Sequence, residues 1–209
     1  MEAVKSINSA PEFRPFGEPE VQTGVIHQFG DEFTEIAIIY PDSTDVRGFD
    51  TKLLQAAGMK EGDHLGFTFT KQVRYGEVLA RMNVQNEGQA QEGELADFGT
   101  PTVKHGEIHN IEADYAPVCI DGEREPEYFE PDIIRAAEMW AGDKVTITFT
   151  TKVCPGEIQV DMVVEGEIKT PEEREVKLAK DAQEAQEILK GVDLEAIGKT
   201  FGHHMEDEK

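Results

Sequence analysis

The 209-residue chain has little of several features that usually narrow down a function. It has two cysteines, Cys119 and Cys154, which form neither a disulfide framework nor a zinc site by themselves, so we expect a reducing, cytoplasmic setting. No run of about 18 apolar residues is present, and residues 1–16 lack a signal-peptide pattern, so we expect no membrane association. The sequence contains no phosphate loop, nucleophile elbow, CxxC pair or HExxH motif. It therefore favours a protein that is not an enzyme.

Basic residues are also scarce, with 20 Lys and Arg against 43 Asp and Glu and a formal net charge of −23. Such a chain repels phosphate backbones and anionic lipids and attracts basic partners or metal ions. Adaptation to salt is a second explanation for the acidity, and composition does not separate the two. Hydrophobic residues make up 38% of the chain, which is enough for a folded core.

An internal repeat organises the chain. Residues 49–84 align without gaps on residues 129–164 at an offset of 80, and the GVIH of residues 24–27 matches the GEIH of residues 106–109 at an offset of 82. Identical residues include the Gly-Asp pairs at positions 62–63 and 142–143. We interpret Asp63 and Asp143 as turn residues that bond the backbone.

Each copy has the pattern strand, strand, short helix, strand, strand. Alternating apolar residues predict the strands. Asp50 is a plausible N-cap of the first helix, and Pro131 suits the first turn of the second. The predicted fold class is mainly β with short helices (α+β). We expect the two copies to close one pseudo-twofold small barrel or two separate small barrels.

The predicted organisation has five parts, of which the last contains a helix from about Pro171 to Lys190. The parts are an extended N-terminal segment (1–22), repeat 1 (23–85), an acidic Gly-rich linker (86–104), repeat 2 (105–168) and a helical tail (169–209).

The string AGMKEGD at residues 57–63, which lies between a short helix and an alternating strand, resembles the AbrB/SpoVT swapped-hairpin (cradle-loop) barrels. That resemblance implies two tandem copies of the barrel unit in one chain, and DNA binding through basic residues near the early strands. Residues 24–84 have 6 basic and 9 acidic residues, and residues 106–164 have 4 and 13. A positive patch is therefore expected only in copy one, from Arg47, Lys52, Lys71, Arg74 and Arg81.

Three functions follow from these observations. The leading hypothesis is a non-enzymatic acidic binding module that engages a protein partner, expected to be basic in view of the charge, through Trp140 and the tail residues Leu178 and Leu189. The competing interpretation, which we favour for these side chains, is that Trp140 caps the core and that the tail helix packs against the barrel. The alternative is an AbrB-like nucleic-acid-binding regulator that uses the copy-one patch.

The third hypothesis is a small-ligand or metal-binding barrel, or an enzyme, with a site between the repeats. His27 and His109 occupy equivalent repeat positions and could share a divalent metal. Two ligands are too few, so a carboxylate or the pair His203 and His204 would have to complete the set. The competing interpretation is a repeated strand-end histidine with a structural role, and no cofactor.

Overall fold

The structure is a computed structural model that describes residues 12–168 and the helical tail positions 173, 175, 176, 179, 180 and 183. The chain divides into two compact units, Met1–Ile168 and Lys169–Lys209. The predicted tail helix is helical at those six positions, whereas Leu178 and Leu189 lie outside the described residues. Within the described part of the chain, no helix is long and apolar enough to cross a membrane.

The first unit is mainly antiparallel β-structure with two short helices, which confirms the predicted class. Its strands and helices are β1 (Arg14–Pro15), β2 (Glu20–Gln28), β3 (Phe33–Ile39), β4 (Thr44–Asp50), α1 (Thr51–Ala56), β5 (His64–Arg74), β6 (Glu77–Asn86), β7 (Ala96–Asp97), β8 (Thr102–Ile108), β9 (Ala116–Ile120), β10 (Glu127–Phe129), α2 (Pro131–Ala136), β11 (Lys144–Cys154) and β12 (Glu157–Glu167).

The strands form one open sheet in the order β10-β9-β8-β11-β12-β6-β5-β2-β3-β4, with β1 paired to β5 and β7 to β11. Among the described residues no ladder joins β4 to β10, so the closed barrel expected from the sequence is not observed. Alternating residues predict which face of a strand is buried, but the backbone groups that pair strands are the same in every residue except proline. The pattern therefore did not show which edges would stay open.

The hydrophobic core has two clusters, and each combines residues from both halves of the chain. Val73 and Val78, at the tip of the β5–β6 hairpin, pack with residues of β8–β12 and α2. Ile158, near the tip of the β11–β12 hairpin, packs with residues of β2–β6 and α1. Backbone hydrogen bonds fasten both tips, from Gly76 N to Ala137 O (2.8 Å) and from Gly156 N to Ala57 O (2.9 Å). Each hairpin thus packs against the helix of the other half.

The two helices start and end as their sequences indicate. The Asp50 side chain accepts hydrogen bonds from the backbone N–H groups of Lys52 and Leu53, which satisfies donors that the first turn leaves open. Pro131 begins α2. After α1, Gly58 adopts φ +70°, and after α2 the equivalent position is Glu138 at φ +59°. A side chain in this left-handed region is strained, because its Cβ crowds the backbone.

The turn aspartates bond the backbone as interpreted from the sequence. Asp63 Oδ2 accepts from Lys60 N at 2.8 Å, and Asp143 Oδ2 accepts from Trp140 N at 2.9 Å. These bonds close the turns that lead into β5 and β11.

The structure also shows a correspondence between two short segments that the sequence alignment did not include. Phe16 N donates to Lys71 O, and Phe98 N donates to Thr151 O, each at 2.8 Å. Both phenylalanines start an FGxP string, and the strings are 82 residues apart. The glycines at positions 17 and 99 have φ of +73° and +74°. The predicted extended N-terminal segment thus contains a short strand, β1, that pairs with β5. The predicted linker contains a similar strand, β7, that pairs with β11.

Candidate functional site

The five basic residues predicted to form a nucleic-acid patch are, with one exception, bonded to carboxylates of the same chain. Arg81 Nε and Nη2 donate to Asp161 Oδ1 and Oδ2 at 2.7 and 2.8 Å. Arg47 Nε donates to Asp45 Oδ2 at 3.1 Å. Each of these hydrogen bonds raises the pKa of its guanidinium.

Lys71 and Arg74 are paired in the same way. Lys71 bonds Glu130 and lies 3.5 Å from Glu20 Oε1. Burial lowers the pKa of Lys71, but the hydrogen bond and the charge of Glu130 more than offset this, and the net shift is upward. Arg74 bonds Glu77 and lies over the ring of Phe13, with its guanidinium carbon 4.4 Å from the ring centre.

Lys52 is exposed and forms no ion pair with the residues that the structure describes. A phosphate would therefore have to compete with internal carboxylates for the other four cations. Surfaces that bind nucleic acids need cations that can contact phosphates, and this geometry does not favour such binding.

The two predicted metal ligands lie on the surface. His27 is near the end of β2, His109 follows β8 directly, and both are exposed. Within residues 12–168 and the six tail positions, no group of three or more His, Cys, Asp and Glu residues is placed to hold a metal. His203 and His204 lie outside the described residues. The structure therefore adds no support to the metal hypothesis.

Trp140, the predicted partner anchor, is 55% exposed and lies beside an open depression of about 440 Å³. The depression is lined by Ile111, Arg135, Met139, Trp140 and Ala141. The Arg135 guanidinium is held by Asp132 Oδ1 at 2.9 Å and by the backbone oxygen of Glu112 at 3.0 Å. The depression therefore combines an exposed indole, apolar walls and one fixed cation.

A second feature, which the sequence did not single out, is an acidic sheet face on β8, β11 and β12. On β8 the exposed residues His105 and Glu107 alternate with buried Gly106 and Ile108. The β12 carboxylates and the residue after β9 lie on the same side of the sheet as Glu107. We define the acidic face by Glu107, Asp121, Glu165 and Glu167, which are all exposed.

The strand register places the polar and charged residues of this face in rows that run across β8, β11 and β12. On the ladder Lys144 is paired with Glu107 on one side and with Glu167 on the other, so one lysine position lies between two glutamate positions. In the next row His105 Nδ1 is 3.1 Å from Thr146 Oγ1. The rows border an open depression of about 300 Å³ lined by His105, Gly106, Glu107, Asp121, Lys144, Val145, Thr146 and Glu167. Carboxylates outnumber cations here, so the local potential is negative.

The acidic face is confined to the second half of the chain. At the offsets of the repeat, the positions of Glu107, Asp121 and Glu165 are occupied in the first half by Val25, Ile39 and Gln85. The fourth member, Glu167, corresponds to Glu87, so three of the four acidic positions distinguish the two halves. A reader of the sequence could have found Glu165 and Glu167 by their alternation along β12, but nothing local shows that β8 and β11 lie beside them.

Comparisons with protein-family models, with curated proteins and with solved structures find no match to this chain.

Proposed function

We propose that this protein is a non-enzymatic binding module whose acidic face takes up a basic segment of a protein partner. The observation that carries the proposal is the contrast between the two kinds of charge. Four of the five candidate cations are bonded to internal carboxylates, whereas the carboxylates of Asp121, Glu165 and Glu167 are exposed near a single lysine, Lys144. The protein therefore exposes more negative than positive charge on this face.

The Trp140 depression supports the same function. Ala141, in its wall, is three residues from Lys144 of the acidic face, so the two features lie at the same end of β11. Indole rings bind cations over their faces and offer a large surface for contacts with apolar side chains. A segment with lysines or arginines and one apolar side chain would use both features.

For the fold we propose a tandem duplication related by a pseudo-twofold axis, similar to the AbrB/SpoVT swapped-hairpin barrels. The strand order supports it. Strands β2 to β6 correspond to β8 to β12 at offsets of 80 to 82 residues, and the five strands of one half follow one another in the same order from the centre of the sheet to its edge as those of the other half. The exchange of hairpin tips between the two core clusters supports it as well. The fold departs from a closed barrel in one respect, because among the described residues β4 and β10 are not paired with each other.

The test uses the fluorescence of Trp140, the one tryptophan of the chain, during titration with a short peptide of alternating lysine and leucine. The triple variant E107Q/E165Q/E167Q should weaken binding about tenfold, because three exposed charge pairs of about 0.5 kcal/mol each are lost. Binding to the unaltered protein should weaken as salt rises, since the attraction is electrostatic.

The matched control D31N/E35Q/D42N removes the same number of charges from exposed positions away from the face. It should change the affinity less than about twofold. If both triple variants weaken binding equally, the peptide senses net charge alone and the acidic face is not a site. A duplex DNA oligonucleotide is titrated in parallel, and binding lost in R47A or K52A would support the nucleic-acid alternative instead.

A further inference from the structure

β4 lies at one end of the sheet and pairs with β3 only, among the described residues. Its seven residues, Thr44–Asp50, are exposed except for a half-buried Phe49, and the Val46 side chain is 57% exposed. An open edge of this length presents unpaired backbone N–H and C=O groups that readily accept another strand. Proteins commonly shield such edges with proline, bulges or very short strands, and β4 contains no proline.

The register of the β3–β4 hairpin shows which backbone groups face outward. Tyr40 N donates to Ser43 O at 2.9 Å, which makes these two residues a hydrogen-bonded pair. The ladder then runs without a shift from Ile39↔Thr44 to Phe33↔Asp50. Because hydrogen-bonded and non-bonded pairs alternate in an antiparallel ladder, the N–H and C=O groups of Thr44, Val46 and Gly48 point to the free edge.

We propose that two copies of this chain pair antiparallel along β4, with Val46 opposite Val46 on the twofold axis. In that register Val46 exchanges both backbone hydrogen bonds with its counterpart. The non-bonded positions on either side bring Asp45 of each copy opposite Arg47 of the other, at the spacing where side chains are closest. The sequence Asp-Val-Arg is thus complementary to itself in an antiparallel pair.

Other registers that use the outward-facing groups lack this match. A pair centred on Thr44 sets Asp45 opposite Ser43, and one centred on Gly48 sets Arg47 opposite Phe49. Arg47 is already oriented within its own chain, because its Nη2 lies 3.3 Å from the hydroxyl of Tyr40 and its Nε bonds Asp45. This charge complementarity favours a second copy over an unrelated strand as the occupant of the edge.

An apolar contribution comes from the outer side of the sheet. Val46 lies beside Ala37 in the ladder, and Ala37 lies beside Val25. Pairing would bring the exposed Val46 side chains of the two copies together and continue this apolar row across the axis. The row belongs to the first half of the chain, so the acidic face on β8, β11 and β12 stays open for the proposed partner.

The test is sedimentation equilibrium of the full chain at about 0.15 M salt, where repulsion between two acidic copies is screened beyond about 8 Å. D45R should weaken association about tenfold, because two opposite-charge pairs become like-charge pairs. The exchange D45R/R47D should restore it to within about threefold. If net charge alone governed association, D45R would strengthen the dimer, because each copy becomes less negative. The control variant E94R, in the loop before β7, makes the same change in net charge and measures this general effect.

A second variant tests the backbone. V46P removes an N–H that points away from β3, so the β3–β4 ladder is retained while the proposed pairing with a second copy is lost. Circular dichroism checks that each variant is folded. A monomer at protein concentrations up to about 1 mM would overturn the proposal, as would a dimer that D45R and V46P leave unchanged. Failure here would not affect the acidic-face proposal, which is measured by peptide binding.

Discussion

The pair Arg81–Asp161 is expected to contribute more to stability than any other ion pair described above. The two residues are direct neighbours on the β6–β12 ladder and share two hydrogen bonds of 2.7 and 2.8 Å. The Asp161 side chain is 14% exposed and that of Arg81 37%. Bidentate guanidinium–carboxylate pairs are the strongest charge-assisted hydrogen bonds in proteins.

The magnitude follows from what each substitution leaves behind. In Arg81→Met the largely buried Asp161 carboxylate keeps one side-chain donor, Gln159 Nε2 at 2.9 Å. Leaving a fully buried charge without its partner costs about 3–5 kcal/mol, whereas exposed pairs contribute about 0.2–1 kcal/mol. The partial exposure of Arg81 sets this pair between those limits, and we expect Arg81→Met to lower the free energy of unfolding by about 2 kcal/mol.

The assay is a double-mutant cycle of Arg81→Met, Asp161→Asn and the double variant, with urea unfolding followed by circular dichroism. The expected coupling energy is about 1.5 kcal/mol. The pair Lys152–Asp97, at 3.9 Å with 43% and 83% exposed side chains, serves as the control cycle and should give a coupling near zero. A coupling below about 0.5 kcal/mol for Arg81–Asp161 would refute the reasoning, since the two losses would then be independent.

The position of this pair gives it a second consequence. Residues 81 and 161 are aligned with each other in the sequence comparison of the two halves, at an offset of 80. If β6 of one chain paired with β6 of another in the equivalent register, Arg81 would face Arg81. Opposite charges at the two positions therefore favour pairing of β6 with β12 over pairing of β6 with a second β6.

Two further predictions concern local features. Glu138→Gly should raise the free energy of unfolding by about 0.5–1 kcal/mol in thermal or urea unfolding, because it removes the strain of a side chain at φ +59°. Gly58→Ala at the equivalent position should lower it by about 1 kcal/mol, and the opposite signs would contradict the strain argument. The hydrogen bond to Glu112 raises the pKa of Tyr115, so ultraviolet titration should show Tyr115 ionising above its usual range, and Glu112→Gln should bring it back. The pKa of Tyr115 is higher in the folded state than in the unfolded state. The Tyr115–Glu112 hydrogen bond therefore contributes to stability below the unfolded-state pKa, and this contribution is lost as pH rises through the folded-state pKa.

Much of the local structure could be predicted because its causes are local. The alternation of Leu65 and Phe67 predicts a strand with one buried face, and Asp50 predicts the start of α1. The glycines of the two hairpin turns, Gly76 and Gly156, adopt φ of +71° and +82°, where glycine is favoured. The FGxP strings were equally visible in the sequence, and an alignment extended by a few residues would have found them.

The candidate site was predictable only in part. Trp140 is 55% exposed, and its role as an anchor stays a prediction. The acidic face was missed because its members come from parts of the chain that only the sheet brings together. Arg81 illustrates the reverse error. In the sequence it is one of few cations, and only the register of β6 against β12 reveals a carboxylate opposite it.

The sequence by itself determined the class of fold, the positions of most strands and helices, and the excess of negative charge, since these depend on residue type and on neighbours along the chain. The tertiary structure decided which strands are adjacent, which hairpin tip enters which core and which charges meet. Strand pairing joins backbone groups that every residue except proline shares, so side-chain patterns leave the choice of partner open until the whole sheet and both cores form together.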